Sequence, residues 1–202
     1  MTWRYQLIAG AEPARAPLVL LHGSGRDEQD MVPLAAKFAP GSTAVAVRGA
    51  IPWERGYAFF RRFEDRSIDE ASVLEQGHSL AEFINDVGVR YGFQKPPILI
   101  GFSNGAIMAA ALIQLYPDLM GAAVLLRPLS PFATPHRERL PGTPVLIIDG
   151  SDDERRTPGD GLRLAKTLEH AGAVTRHHVL NAGHSIGPED CAFVRDWLVS
   201  RR

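Results

Sequence analysis

The chain has 202 residues, of which 22 are Lys or Arg, 23 are Asp or Glu and 45% are hydrophobic. This balance is typical of a globular chain with a full-sized core, so residues 1–202 are expected to form a single domain rather than a disordered or disulfide-stapled chain. The formal net charge of −1, without a dense Lys/Arg block, gives no basis for binding nucleic acid.

The amino terminus and the cysteine content bear on the compartment. The first residues lack the basic stretch and apolar run of a signal peptide, and no apolar run reaches the roughly 18 residues of a membrane span. The single cysteine, Cys191, cannot form an intrachain disulfide or a cysteine-based zinc site, and is expected to be a small buried hydrophobic residue. A cytoplasmic location without a membrane span is therefore predicted.

Short apolar runs alternate with segments of helical periodicity along the chain, which predicts an α/β fold with a mainly parallel central sheet and helices on both faces. The predicted strands are 17–21, 44–47, 97–100, 122–126 and 144–148, with more polar edge strands over 4–8 and 175–179. The predicted helices are 28–38, 69–91, 105–116, 159–171 and 189–200. Only residues 48–66 depart from the alternation, as a long, aromatic-rich connection without periodicity.

One serine lies between a predicted strand and a predicted helix, in the sequence Gly101-Phe102-Ser103-Asn104-Gly105. Small residues on both sides allow the sharp turn of a nucleophile elbow, which exposes a serine hydroxyl at the end of a strand. The alternative is that Ser103 only caps the N-terminus of the helix.

A serine nucleophile needs a histidine base and an orienting acid, which follow an elbow of this kind in the order Ser, acid, His. A carboxylate cluster occupies residues 149–154 directly after a predicted strand, and His184 lies in a glycine-flanked loop before the last helix. These positions fall at the carboxyl ends of strands, where ligand sites of open α/β sheets lie. Taken alone, the acidic cluster would also fit a solvated turn, and His184 would also fit an exposed loop histidine.

The loop His22-Gly23-Ser24-Gly25 follows the first strongly apolar strand and supplies backbone N–H groups for an oxyanion hole. We expect one donor to be the N–H of Ser24 and the other the N–H of Asn104, next to the serine. A phosphate-binding loop is the competing interpretation, but a third glycine and a Gly-Lys-Ser/Thr sequence are missing.

In this order the motifs resemble those of the phospholipase/carboxylesterase family of the α/β-hydrolase superfamily, a family that also contains the acyl-protein thioesterases. The Ser-Asn-Gly form of the elbow is typical of its bacterial carboxylesterases. The resemblance spans nearly the whole chain and is carried by residues 21–35, Arg48-Gly49, Phe59-Phe60-Arg61-Arg62, 101–106, Leu125-Leu126-Arg127-Pro128 and Gly183-His184.

The resemblance implies an α/β-hydrolase fold without a large lid domain and a serine hydrolase without a cofactor. Ser103 would attack the substrate, His184 would act as base and then acid, and an aspartate would orient His184. The family's Gly-x-x-Asp-Pro pattern, counted from Gly150, places this aspartate at Asp153. Residues 154–158 replace the usual continuation and are one residue longer, so Asp152 is kept as the second choice.

With this family's architecture, residues 48–66 are expected to form one wall of the acyl pocket. Its aromatic residues would supply apolar surface, and an arginine would meet a carboxylate or pair with local acids. The alternative is that the aromatics close the core and the arginines only solubilise the surface. The residues concerned are Trp53, Phe59, Phe60, Phe63, Arg61 and Arg62.

The sequence thus predicts a serine carboxylesterase for esters of short to medium acyl chain. The alternatives are an acyl thioesterase or lysophospholipase-type hydrolase with the same residues, or a hydrolase-fold protein that binds without catalysis. No metal is expected, because His177 and His178 are adjacent on a strand and point to opposite faces. The expected partner is a small ester or thioester, and family analogy suggests a homodimer.

Overall fold

The fold is built on a seven-stranded sheet, seen in a computed structural model that describes residues 3–134, 140 and 142–201. The strands are β1 (Tyr5–Ile8), β2 (Leu18–Leu21), β3 (Ala44–Val47), β4 (Ile51–Trp53), β5 (Gly56–Ala58), β6 (Ile98–Phe102), β7 (Ala122–Leu126), β8 (Pro144–Gly150) and β9 (Val174–Leu180). The helices are α1 (Val32–Phe38), α2 (Glu70–Arg90), α3 (Asn104–Leu115), α4 (Asp160–His170) and α5 (Pro188–Val199).

The strand order in the large sheet is β1-β3-β2-β6-β7-β8-β9. Only β1 runs antiparallel to its neighbour, β3, and every other pairing in this sheet is parallel. The central strands are buried on both faces, which explains their continuous runs of aliphatic residues. The carboxyl ends of β2, β6, β8 and β9 consequently lie along one edge of the sheet.

Two hydrophobic clusters flank the sheet and show which helices cover each face. On one face, α2, α3 and α4 contribute residues such as Leu80, Ile107 and Leu168. On the other face, α1 and α5 contribute Phe38 and Trp197. The predicted mainly parallel sheet with helices on both faces is confirmed. None of the helices in the described part of the chain is long and apolar enough to cross a bilayer.

The structure differs from the prediction in two segments. The predicted helix over 28–38 is divided into a 3₁₀ turn, Glu28–Asp30, and α1, because Pro33 lacks an N–H and lies in the first turn of a helix that must begin just before it. The connection over 48–66 contains the β4–β5 hairpin. Its three-residue strands are too short to show the alternation of apolar and polar residues that identifies a strand. Its turn also lacks the usual glycine signal, because Glu54 takes the positive φ of 53°.

Candidate active site

The turn between β6 and α3 holds Ser103 at φ 52° and ψ −108°, a conformation that non-glycine residues rarely adopt. Glycines make this turn possible, because a Cβ atom on Gly101 would overlap the carbonyl of Gly105, and one on Gly105 would overlap the carbonyl of Leu21 in β2. Ser103 precedes α3 as its N-cap residue, but its hydroxyl makes no capping hydrogen bond. The helix-cap interpretation therefore does not account for this serine.

A continuous line of hydrogen bonds joins Ser103 to a buried carboxylate. Ser103 Oγ lies 2.9 Å from His184 Nε2, and His184 Nδ1 lies 2.9 and 2.8 Å from the two carboxylate oxygens of Asp153. This arrangement favours the tautomer in which Nδ1–H donates to Asp153 and Nε2 accepts the Ser103 hydroxyl proton. Asp152 is exposed and instead accepts a hydrogen bond from Ser151. The structure therefore places Asp153, not Asp152, beside the imidazole.

The surroundings of His184 keep its imidazole neutral at neutral pH. Burial lowers the pKa of His184 from 6.5, and the positive charge of Arg156 lowers it further, against the opposing effect of Asp153. A neutral imidazole can accept a proton from a serine hydroxyl, whereas a protonated one cannot. The electrostatics of the site therefore favour the base form of His184.

A buried ion pair fixes the loop that carries His184. The Arg127 guanidinium, at the end of β7, lies 2.7 and 3.1 Å from the carboxylate oxygens of Asp190 in α5. The same guanidinium donates to the carbonyls of Gly183 and Ser185, on either side of His184. Arg127 is fully buried. These bonds hold both backbone flanks of the imidazole against the sheet.

The loop after β2 is held by a second, buried histidine. His22 Nδ1 lies 2.7 Å from the carbonyl of Gly23, so Nδ1 donates, and Nε2 accepts from the N–H of Gly49 at 2.9 Å. Burial lowers the pKa of His22, which keeps it in this neutral form. Within the described residues, no protein acceptor engages the backbone N–H of Ser24 or Asn104. Both N–H groups remain available for an oxyanion.

The connection over 48–66 contacts the loop after β2. The N–H of Gly25 donates to the carbonyl of Tyr57 in β5 at 3.0 Å, and the N–H of Tyr57 donates to the carbonyl of Arg26 at 2.9 Å. Farther along, the N–H of Phe59 donates to the buried Asn104 side-chain oxygen at 2.7 Å. The hairpin and the residues after it therefore brace the loop after β2 and the side chain of Asn104, the residue that follows the serine.

The residues expected to line an acyl pocket do not form one wall. Phe59 and Phe60 have only 0% and 1% of their surface exposed, so they close the core, as the alternative interpretation has it. Trp53 lies half-buried on β4, and Arg61 is exposed. Arg61 forms ion pairs with Asp69 and Glu75. The aromatic and basic side chains of residues 48–66 are easy to recognise in the sequence. Their residue types alone do not tell whether a given side chain lies in the core or lines a pocket.

Arg156 reaches the serine and is not among the residues selected from the sequence. Its Nη2 donates to Ser103 Oγ at 3.1 Å. Burial lowers its pKa to about 10, so the guanidinium stays charged at neutral pH. The only feature of the sequence that points to Arg156 is the departure from the family pattern at residues 154–158. This departure identifies the segment but not which side chain reaches the serine.

No group of three or more potential metal ligands occurs in the described part of the chain.

The titration of His184 tests the electrostatics of this site. We expect the pKa of His184 to lie below 6.5 in the wild type and to rise in Arg156→Gln, because the variant removes a positive charge that disfavours the imidazolium. The measurement is an NMR pH titration of the imidazole resonances. An unchanged or lower pKa in the variant would contradict the assignment of Arg156 as a cause.

The Arg127–Asp190 pair gives a second expectation. Arg127→Met leaves the buried Asp190 carboxylate unpaired and should lower the free energy of unfolding by about 3–5 kcal/mol. Adding Asp190→Leu should restore part of this loss, since no charge then remains buried. Urea denaturation measures the free energy of unfolding of the single and the double variant. The exposed Arg176→Met serves as a control, and its free energy of unfolding should differ from that of the wild type by no more than about 0.5 kcal/mol. A wild-type unfolding midpoint in Arg127→Met would show that the pair is not stabilising.

Comparison with known proteins identifies relatives of the chain. No protein-family model matches the chain. MhqD of Bacillus subtilis strain 168, a hydrolase by name, is 28% identical over 181 residues, which are 89% of this chain and 90% of MhqD.

Two crystal structures extend the likeness to the whole fold. A carboxylesterase from Mesorhizobium loti superimposes with a TM-score of 0.92 at 36% identity, covering 98% of this chain and 94% of that one. A Bacillus cereus carboxylesterase superimposes with a TM-score of 0.94 at 28% identity, covering 99% of this chain and 95% of that one. Together with the elbow and the topology of the sheet, these likenesses show that the chain belongs to the phospholipase/carboxylesterase family of the α/β-hydrolase superfamily.

Proposed function

We propose that this carboxylesterase-type hydrolase cleaves carboxylic esters through a covalent acyl-enzyme on Ser103, with His184 as base and Asp153 as the orienting acid. The observation that carries the proposal is the unbroken line of hydrogen bonds from Ser103 Oγ through both ring nitrogens of His184 to Asp153. A binding protein would have no need for a strained serine backbone beside a neutral, oriented imidazole.

The first half of the reaction follows from this geometry. His184 Nε2 accepts the Ser103 hydroxyl proton as Oγ bonds to the ester carbonyl carbon, and Asp153 stabilises the imidazolium that forms. The carbonyl oxygen becomes an oxyanion. When this tetrahedral intermediate collapses, the bond to the alcohol oxygen breaks, and the proton on Nε2 passes to the departing alcohol. The acyl group remains on Oγ.

Hydrolysis of the acyl-enzyme repeats these steps with water. His184 Nε2 accepts a proton from water, the resulting nucleophile bonds to the acyl carbon, and the proton then returns to Ser103 Oγ as the acid leaves. In both halves, the backbone N–H groups of Ser24 and Asn104 would receive the oxyanion. Donors that are fixed before the reaction are typically worth about 10²–10³ in kcat each.

The proposed substrates have short to medium acyl chains. The large aromatic side chains expected to extend an apolar pocket, Phe59 and Phe60, are inside the core, and the cationic Arg156 lies beside the serine. A long alkyl chain gains affinity only from extended apolar surface. Thioesters are a second candidate class, since the same residues would attack an acyl sulfur compound.

The test is hydrolysis of a 4-nitrophenyl ester series from acetate to palmitate by the wild type and by variants checked for folding. Ser103→Ala should lower kcat/KM by about 10³-fold or more, and Asp153→Asn by about 10²–10⁴-fold because the imidazole loses its orienting partner. The matched control, Asp152→Asn, should stay within about threefold of the wild type, since this exposed carboxylate does not touch His184.

Three outcomes would overturn the proposal. Activity that survives in Ser103→Ala would place the nucleophile elsewhere. A severe loss in Asp152→Asn with little change in Asp153→Asn would move the triad acid by one residue. A much larger kcat/KM for palmitate than for butyrate would contradict the short acyl pocket.

A further inference from the structure

The Arg156 side chain is held beside the nucleophile by neutral groups alone. Its Nε donates to the carbonyls of Arg127 and Pro128 at 2.8 and 3.1 Å, Nη1 donates to the carbonyl of Arg155 at 2.9 Å, and Nη2 donates to Ser103 Oγ at 3.1 Å. Among the described residues, no carboxylate lies within 4.0 Å of its guanidinium nitrogens. Its positive charge is therefore held in place without an anionic partner.

Arg127 differs from Arg156 in having a carboxylate partner. Arg127, which donates to the backbone on either side of His184, has its charge matched by both oxygens of Asp190. The acids whose charges act on Arg156 are engaged elsewhere: Asp153 bonds to His184, and Asp149 bonds to His177. Asp160, the remaining acid, pairs with Arg163. These carboxylates act on Arg156 only from a distance, so an anion that enters the site would meet a guanidinium that has no direct carboxylate contact.

The hydrogen-bonding capacity of Arg156 leaves room for such an anion. A guanidinium has five N–H bonds. The Nε–H is shared between two carbonyls, and one N–H of each terminal nitrogen is used by Arg155 and by Ser103. One N–H on Nη1 and one on Nη2 remain, and the side chain is only half-buried, so solvent reaches it. Two donors on one guanidinium match the two oxygens of a carboxylate.

A second arginine adds to the positive charge. Arg62 is half-buried with its guanidinium 5.5 Å from the centre of the Phe60 ring, and it donates to the carbonyl of Arg66. It is close enough that its charge, by repulsion, contributes to the lowered pKa of Arg156. No ion pair of Arg62 occurs in the described part of the chain. Arg62 is therefore a second cation without an ion pair in the described residues, and its charge acts on Arg156.

We propose that Arg156, supported by Arg62, binds a free carboxylate of the substrate, so that the preferred esters are monoanions such as monoesters of short dicarboxylic acids. This rests on the proposed role of Ser103 as nucleophile. Nη2 and Oγ are 3.1 Å apart. A reacting carbonyl carbon lies about 3–3.5 Å from Oγ and a carboxylate oxygen about 2.8 Å from a guanidinium nitrogen. A spacer of two or three carbons joins the two groups over such a distance.

The experiment compares anionic esters with neutral ones of matched shape. Monomethyl glutarate is paired with dimethyl glutarate, which places the carboxylate in the acyl part. O-butyrylglycolate is paired with its methyl ester, which places it in the alcohol part. We expect the wild type to prefer the anion in at least one pair by about 10- to 100-fold in kcat/KM, as measured in a pH-stat at pH 7.5. The preferring pair shows which side of the scissile bond faces Arg156.

Variants assign this preference to one side chain. In Arg156→Gln, the ratio of kcat/KM for the anionic and neutral esters should fall to about 1, and Arg156→Lys should keep only part of the preference, because an ammonium lacks the two-pronged geometry. The ratio cancels any effect of Arg156 on the serine itself. Arg155→Gln, an exposed neighbour that donates no side-chain bond to the site, should keep the wild-type ratio.

A binding measurement separates this proposal from catalysis. Calorimetric titration of Ser103→Ala should show binding of monomethyl glutarate at least about tenfold tighter than binding of dimethyl glutarate, and this difference should vanish in Ser103→Ala with Arg156→Gln. Equal rates for neutral and anionic esters, or a preference that survives in Arg156→Gln, would overturn the carboxylate site while leaving the esterase intact. No Ser103-dependent hydrolysis of any ester would instead overturn the proposed function.

Discussion

The backbone of Ser103 is the constraint around which the site is arranged. Its positive φ turns the chain from β6 into α3 within one residue, and the turn closes only because Gly101 and Gly105 carry no side chain against neighbouring carbonyls. Such strain persists only where the surrounding structure enforces it. The buried strands on both sides of β6 and the buried residues 104–114 of α3 supply that enforcement.

The other parts of the site are tied to the sheet by buried polar contacts. His22 joins the loop after β2 to Gly49, two residues after β3, and the Arg127–Asp190 pair joins the His184 loop to β7 and α5. Each fixes a loop through backbone carbonyls or N–H groups, so the loops keep their positions whatever their exposed side chains are.

Much of this architecture can be read from the sequence because it depends on local patterns. Apolar runs identify the central strands, and glycine spacing identifies the elbow, since the turn admits no side chain there. The resemblance to the family pattern ranks Asp153 ahead of Asp152, and the three-dimensional contacts separate the two, because only Asp153 points towards the imidazole. The burial of Phe59 and Phe60 could not be predicted either, since aromatic residues look the same in a core and in a pocket.

Arg156 shows the same limit more sharply. In the sequence it is one of two adjacent arginines in an acidic turn, with nothing to distinguish it from Arg155. The two arginines differ in the structure. The Arg156 guanidinium donates to the carbonyls of Arg127 and Pro128 just after β7, whereas Arg155 is exposed to solvent. Contacts between residues that are distant in the sequence leave neither a periodic pattern nor a motif by which they could be predicted.

The claim that Ser103 is a nucleophile activated by His184 is tested most directly by covalent labelling. After incubation with a fluorophosphonate at pH 7.5, tryptic mass spectrometry should find the phosphonyl adduct on Ser103 in the wild type. The adduct should be absent in Ser103→Ala and should form at least about 100-fold more slowly in His184→Gln, which lacks the base. An adduct on another residue, or equal labelling rates in wild type and His184→Gln, would contradict the account.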